Sequence, residues 1–574
     1  MKKMAELKLL SISVFRFLIF FVTAWSAALV WADQRTICLL PLGTDAIGQS
    51  VGTEYSPDQL FGEPNDPWNA YMSVWRSHHR DPANLDVRRL LGLPLEGPSI
   101  FQARRGRSSP RWLGWQPGTF AQVETSHFSI YSTADEAATR TVAEDLEACF
   151  WVWTQLFFPL WEGAAQVSSA FADYEQGSSI EEYLAEKRPR LSIRRKFQVV
   201  LLKDAEQYRK TLQAEGSGIE LSTGFYSDSL RTIFLYNSGS DAAETRRHEL
   251  THQLFREATR SSLGQTTPGE QKDFWLVEGI AGYMESMALR GKVAMIGGWD
   301  SPRLQYARYR VLVGRDQMTP QELMNDGRDQ AQQRSDLARW YSHSIAHVHA
   351  MMDGGDGEAR RWLYHRLSSL YRSRSPMDAL ANQERIEDRL MQSWGMDLQR
   401  YLQVDDRTLL AFPTSRELRV LCLSGCEVTQ ASLQDLPHSS AMTWLDLASI
   451  PVGNETIKKL IPQPAQLEQL TLEITKVNDG LSDWISQARG LRELDMSWTP
   501  VGDEFLNSIQ GCRELSVLWM TGTQLTDKSV DVLIQLQGLE SLDVQRTQIS
   551  PAGLDRIRKA HPRLQLNPLE LRSP

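Results

Sequence analysis

His248-Glu249-Leu250-Thr251-His252 is the stretch whose residue types and spacing best suit chemistry. Side chains four apart share one face of an α-helix. Two imidazoles so placed can hold one Zn²⁺, and the glutamate beside them can take a proton from water held on that metal. The helix is expected independently of the motif. Asp241 followed by Glu244 is a capping-box-like start. No Gly or Pro occurs from Asp241 to Leu263, and Leu250, Leu254 and Phe255 supply an apolar face. The bland alternative is a helix with two histidines that bind nothing, which a five-residue match alone does not exclude.

A catalytic zinc takes three protein ligands and keeps one position open. A metzincin would continue as HExxHxxGxxH, but Phe255 and Ala258 stand at those positions. A gluzincin supplies a glutamate from a second helix, and Phe274 to Glu285 offers one in Glu278, 26 residues past His252. Gly279, Ala281 and Gly282 are small, which predicts close approach of this helix to the first. The run WLVEGIAGYME resembles the WLxEGxAxYxE helix of gluzincin-type, peptidase MA-like proteins. The resemblance runs back through HFSIYS, FQVVLLKDAEQYRK and STGFYSDSLRTIFLYN and on to YSHSIAHVHAMM, about residues 120 to 400. It is similar to the DUF1570-like proteins common in planctomycetes, which often carry leucine-rich repeats. The resemblance implies that His248, His252 and Glu278 are zinc ligands and Glu249 the general base. It also makes Tyr341 the candidate oxyanion donor, with Tyr283 and His343 as runners-up. His347 and His349 are expected to line their helix without binding metal. One departure stands out. Thermolysin-like gluzincins place an Asp four residues after the ligand Glu to orient a histidine, and this chain has Gly282 there, so another residue must serve or the site is weaker.

The elements that must position these residues are legible as patterns. HFSIYS (127–132), FQVVLL (197–202), and TGFYS and TIFLY around a turn at Asp228-Ser229 read as strands, and one of the last two is expected to pair with an extended substrate. Residues 134–158 read as a helix with an acidic first turn, and 204–213 as one opened by Asp204. Together they predict an α+β, zincin-like metallopeptidase domain over 119–405. Residues 33–118 are rich in Pro, Gly and Asn and are expected to be loop-rich. Within them Arg104-Arg105-Gly106-Arg107 is read as a solvated loop and His78-His79 as a surface pair.

From Leu418 the sequence repeats. LRVLCLSGC, MTWLDLASI, LEQLTLEIT, LRELDMSWT, LSVLWMTGT and LESLDVQRT begin at 418, 442, 467, 491, 515 and 539, and a truncated unit starts at Leu564. A step of 24 or 25 residues and the LxxLxL pattern resemble leucine-rich repeats of the cysteine-containing type. They predict an α/β solenoid over 408–574, separable from the peptidase domain. Cys426 and Cys512 match that type's cysteine positions, and Thr475, Thr499, Thr523 and Thr547 replace the first, so these are packing residues. Outward positions carry Arg419, Trp444, Arg492, Glu493, Trp519 and Ser541, a mixed face suited to a protein partner.

The totals agree. A chain of 574 residues needs two to four domains. With 62 basic against 71 acidic residues there is no reason to expect a nucleic-acid partner. Lys2, Lys3, Lys8 and Arg16, the uncharged run Phe17 to Val30 and a small residue at Ala32 read as a signal peptide over 1–32. The expected location is therefore periplasmic, cell-surface or secreted, with a membrane association only if the signal is uncleaved. Five cysteines, none in CxxC spacing, do not form a disulfide framework. The expected function is hydrolysis of peptide bonds in a peptide or protein substrate, with the repeats binding a protein partner. The competing reading is a non-catalytic binding protein with a degenerate peptidase-like scaffold.

Overall fold

A computed structural model describes residues 36–40, 67–95, 101–175, 177–191, 195–213, 222–237, 242–259, 266–373, 382–411 and 417–567. The expected signal peptide and the Asp241 cap lie outside the described residues. Among the described residues no helix is long and apolar enough to cross a membrane.

β1 (Thr36–Leu39) joins a small antiparallel sheet with β8 (Ala288–Arg290) and β9 (Val293–Ile296). The larger sheet holds β2 (Gln102–Arg105), β3 (Ala121–Glu124), β4 (Phe128–Ser132), β5 (Phe197–Leu202), β6 (Gly224–Ser227) and β7 (Thr232–Tyr236). Its order is β2-β3-β4-β5-β7-β6, with β4, β5 and β7 parallel and β6 antiparallel at the edge. β4 alternates buried and half-buried residues, whereas Val199 to Leu202 of β5 are all buried because both faces of the sheet are covered.

The helices used below are α1 (Pro67–Arg80), α2 (Leu85–Leu91), α3 (Glu136–Leu156), α4 (Ala205–Leu212), α5 (Ala242–Glu257) and α6 (Phe274–Glu285). They continue as α7 (Pro302–Arg308), α8 (Leu337–Asp353), α9 (Gly357–Leu370), α10 (Gln383–Leu402) and α11 (Asp406–Ala411). Asp135 and Asp204 cap α3 and α4 by accepting from Ala138 N and Gln207 N, as short acidic side chains do.

Three readings of residues 33–118 need correction. Residues 67–91 form α1 and α2, not loop, because the breakers stop at Pro67, which opens a helix without needing its missing N–H. From there Trp68, Tyr71, Met72 and Trp75 recur at helical spacing and are buried against α3. Trp68 Nε1 donates to Gln155 O at 3.0 Å. His78 is buried, not at the surface, packs edge-on against Trp75, and is lowered to a pKa of about 4, chiefly by desolvation. Arg104 and Arg105 lie in edge strand β2, not in a loop.

The C-terminal third is a leucine-rich repeat solenoid by its own geometry. Strands β10 (Val420–Cys422), β11 (Trp444–Asp446), β12 (Gln469–Thr471), β13 (Glu493–Asp495), β14 (Val517–Trp519), β15 (Ser541–Asp543) and β16 (Gln565–Leu566) form one parallel sheet in chain order. The constant step stacks Leu421, Leu445, Leu470, Leu494, Leu518 and Leu542 into a buried ladder. Thr475, Thr499, Thr523 and Thr547 each donate to the carbonyl three residues back, at 2.6–2.8 Å. Cys512 is buried with its thiol toward Ala488 O. Trp444 is not on an open face: Tyr306 stacks on it at 5.1 Å between ring centres, and Tyr309 meets it edge-on at 5.8 Å.

Candidate metal centre

α5 carries the HExxH stretch under edge strand β6. Asp145 of α3 fixes the helix from behind: it accepts from Arg247 Nη2 at 2.7 Å and Arg246 Nε at 3.2 Å, all three side chains nearly buried. From the front, Glu249 Oε2 accepts from Tyr226 N of β6 at 2.8 Å. Gly224 permits this closeness, since a Cβ there would lie 2.7 Å from Thr245 Cγ2. Tyr226 N points away from β7, and among the described residues β6 is the outer strand over the helix, with that amide held by Glu249. β7 is interior, which removes TIFLY as the substrate-pairing strand.

α6 brings Glu278 to both histidines. Its Oε2 lies 3.4 Å from His248 Nε2 and its Oε1 3.7 Å from His252 Nε2. One donor atom from each of the three residues falls within 4.8 Å of the others, the one such cluster found among the described residues. Ligand atoms 2.0–2.1 Å from a tetrahedral zinc lie about 3.3 Å apart, close to the two Glu278 contacts and shorter than the full 4.8 Å spread, so His248, His252 and Glu278 are of the donor types that could hold such an ion if that spread narrows. The two glycines of α6 act elsewhere than expected. A Cβ on Gly279 would lie 2.6 Å from Val348 Cγ2 and 2.8 Å from Ser344 O, and one on Gly282 2.4 Å from Ile345 Cγ1. Gly279 and Gly282 thus let α6 approach α8, not α5.

The histidine-orienting group absent at Gly282 is found three residues on. Glu285 Oε1 lies 2.8 Å from His248 Nδ1, and Arg303 Nε donates to Glu285 Oε2 at 2.8 Å. Seven residues separate Glu278 and Glu285, two helical turns, so both face α5. Holding Nδ1 as the N–H leaves Nε2 toward Glu278. Neither Glu285 nor Arg303 was singled out from the sequence. The spacing from Glu278 was a readable signal for the first, whereas Arg303 comes from another helix.

Burial and charge shape the titration of the cluster. Desolvation raises Glu249 to a pKa of about 7, against the lowering effect of His248. Desolvation lowers His252 to about 3. Glu278 and Glu285 resist their own desolvation and fall to about 2, through His248 in both cases, helped by His252 at Glu278 and Arg303 at Glu285. His248 is raised well above its usual value: burial opposes the charge, but hydrogen bonds and charge from the two carboxylates prevail. Arg328, also not foreseen, pushes His252 and Glu278 down by its charge.

Tyr341, on α8, lies beside the cluster. The charge of Glu278, then burial and a hydrogen bond to Glu278, raise its phenol. The runners-up are committed elsewhere. Tyr283 is buried and donates to Asp353 Oδ1 at 2.7 Å, and both ring nitrogens of His343 face backbone carbonyls, of Arg339 and Asp316. His347 stacks on Trp394 and His349 sits 3.6 Å from Asp353. A cavity of about 1120 Å³ opens between α8, α9, α10 and the first repeat, and none of the three candidate ligands lines it.

No protein-family model and no curated protein matches the sequence. Among solved structures, an internalin from Listeria monocytogenes is similar at 14% identity and a TM-score of 0.20, covering 26% of this chain and 47% of that one. A leucine-rich repeat protein of Leptospira interrogans is similar at 19% identity and TM-score 0.18, covering 26% and 48%. A plant peptide hormone receptor (RGFR1, in complex with RGF2) is similar at 16% and 0.21, covering 31% and 33%. This chain spans less than half the length of each. At such scores the solenoid is defined by its own period and strand ladder.

Proposed function

We propose that the chain is an exported zinc metallopeptidase of the zincin type whose repeats bind a protein substrate or partner. The observation that carries the reading is the Glu278 carboxylate facing both Nε2 atoms, 3.4 and 3.7 Å away, with Glu285 fixing the far side of His248. His248, His252 and Glu278 would hold the ion. When bound, it supplies a Lewis acid that polarises a carbonyl and lowers the pKa of water beside it. Glu249, held by the Tyr226 amide and raised by burial to about 7, accepts the proton of the attacking water and returns it to the leaving amine. The outer edge of β6, beyond the amide that holds Glu249, suits an extended peptide, whose backbone would run antiparallel or parallel along it. Tyr341, hydrogen-bonded to Glu278, is the candidate to serve a developing oxyanion. The test measures zinc per chain and cleavage of an unfolded protein. Wild type and Glu249→Gln should each hold about one zinc, with cleavage falling at least ~10²–10⁴-fold in the variant. Equal zinc in His252→Ala and wild type would refute the site, and full activity of Glu249→Gln would refute the mechanism.

A further inference from the structure

Among the described residues β10 has a strand neighbour on one side alone, so the first edge of the solenoid needs other partners for its backbone. α7 supplies them. Cys422 N donates to Gln305 Oε1 at 3.0 Å, and Cys422 O accepts from Arg308 Nη1 at 3.1 Å. Arg308 is 1% exposed and also donates to Leu402 O at 2.9 Å, Trp299 O at 3.0 Å and Gln305 Oε1 at 2.6 Å. Gln305 and Arg308 thus replace a missing strand with side chains.

The same short helix belongs to two cores. Leu304, Ala307 and Val311 pack with Ala346 of α8 and with Leu398 and Leu402 of α10. Trp299, just before the helix, is buried in the solenoid core, and Tyr306 stacks on Trp444 of the second repeat. Two positions before Gln305 stands Arg303, which grips Glu285, which in turn holds His248. Glu285 is nearly buried, so its carboxylate depends on these two partners, whereas Arg303 is half-exposed and is held in place by its helix.

We infer that α7 makes the repeats part of the metal centre: Arg303 is a positioning residue, and the docking of α7 on the first two repeats sets how tightly the metal is held. This rests on reading His248, His252 and Glu278 as a metal site. The solenoid is then not an independent module. Tyr306 and Tyr309, both exposed, cover the buried Trp444, so a protein bound on these two tyrosines acts through the α7 segment on His248.

The experiment uses the full chain and zinc alone, with affinity from competition against a chelating dye and with hydrogen exchange followed in the same samples. Arg303→Ala should bind zinc roughly 10–100-fold more weakly, the cost of losing a ligand's orienting partner, and Arg303→Lys should recover part of it. Trp444→Ala, which touches no ligand, should also weaken zinc and speed exchange in 302–308 and 274–285. Tyr306→Ala, at an exposed position, repeats this with a milder change. Arg558→Ala, on the solenoid's last helix, should match wild type. Combining Arg303→Ala with Trp444→Ala should cost less than the two losses multiplied, since both act on one path. Wild-type affinity in Trp444→Ala and Tyr306→Ala, with unchanged exchange in 274–285, overturns the coupling. Absence of zinc from wild type overturns the metal reading instead, and exchange in 274–285 then decides the coupling alone.

Discussion

Replacing Gly279 by alanine sets two effects of known sign against each other. Alanine favours a helix interior over glycine by about 1 kcal/mol, so propensity alone predicts a more stable protein. Packing predicts the opposite. The new Cβ would sit 2.8 Å from Ser344 O, a backbone atom inside α8 that no rotamer change can move. Ordinary contact begins near 3.4 Å, so α6 and α8 must part by about 0.6 Å. Overpacking of this kind costs about 1–3 kcal/mol, which outweighs the propensity gain in most of its range. Glu278 is the adjacent residue, and ligand distances tolerate only about 0.2 Å of error. Gly279→Ala should therefore lose up to ~2 kcal/mol in urea unfolding and also bind zinc more weakly. Gly357→Ala is the control: a Cβ there meets nothing within 4 Å, so stability should hold or rise. A Gly279→Ala protein as stable as wild type, with equal zinc affinity, would show that α6 and α8 are not in tight contact.

Three further outcomes follow from single sites. Asp145→Ala leaves the two nearly buried guanidinium groups of Arg246 and Arg247 without their carboxylate and should cost about 3–5 kcal/mol in chemical denaturation; a loss under 1 kcal/mol on the order of a surface pair would contradict the burial. Glu257 is raised to a pKa of about 7, first by desolvation, so its neutral form is favoured in the fold and its contribution to stability is greatest below the unfolded value near 4.5. That contribution falls as pH rises from 4.5 through 7, by at most about 3 kcal/mol, and Glu257→Gln should flatten this decline in melting curves from pH 5 to 8. Ile474 is 51% exposed at φ 56°, a left-handed conformation costly for a β-branched residue, so Ile474→Asn should raise the unfolding midpoint by the equivalent of about 1 kcal/mol.

What could be read from the sequence follows from where each signal resides. The repeats were legible because one step of 24 or 25 residues fixes every strand, from Val420 to Ser541, without long-range information. α5 was legible because the spacing of His248 and His252 coincides with the helix period, and α6 because WLVEGIAGYME carries a motif resemblance. α1 was not, because its apolar stripe of Trp68, Tyr71 and Trp75 follows a run of breakers that dominates any window containing both. The target of Gly279 and Gly282 was misread for a different reason. A small residue announces that something comes close, but not which element, and here Val348, Ser344 and Ile345, all of α8, are closest.

The orienting partner of His248 shows the same limit at the site itself. A fixed motif offset demanded a carboxylate at Gly282, but the physical need is only that a carboxylate face Nδ1. Any position on the same side of α6 meets it, and Glu285 does so one turn later. Gly282 can then be spent on contact with Ile345, which a carboxylate there would prevent. The two changes depend on each other: moving the carboxylate frees position 282 for close helix packing, and that packing fixes the helix that carries Glu278. Restoring an acid at 282 should therefore harm this chain. Gly282→Asp adds a side chain where a Cβ alone would lie 2.4 Å from Ile345 Cγ1, in a fully buried position, and so costs both overlap and desolvation of a carboxylate. It should fold poorly and take up less zinc, whereas Glu285→Gln, which keeps an acceptor near Nδ1 and the shape of the site, should fold and lose zinc affinity alone. Better zinc binding by Gly282→Asp than by wild type would mean that Glu285 does not orient His248.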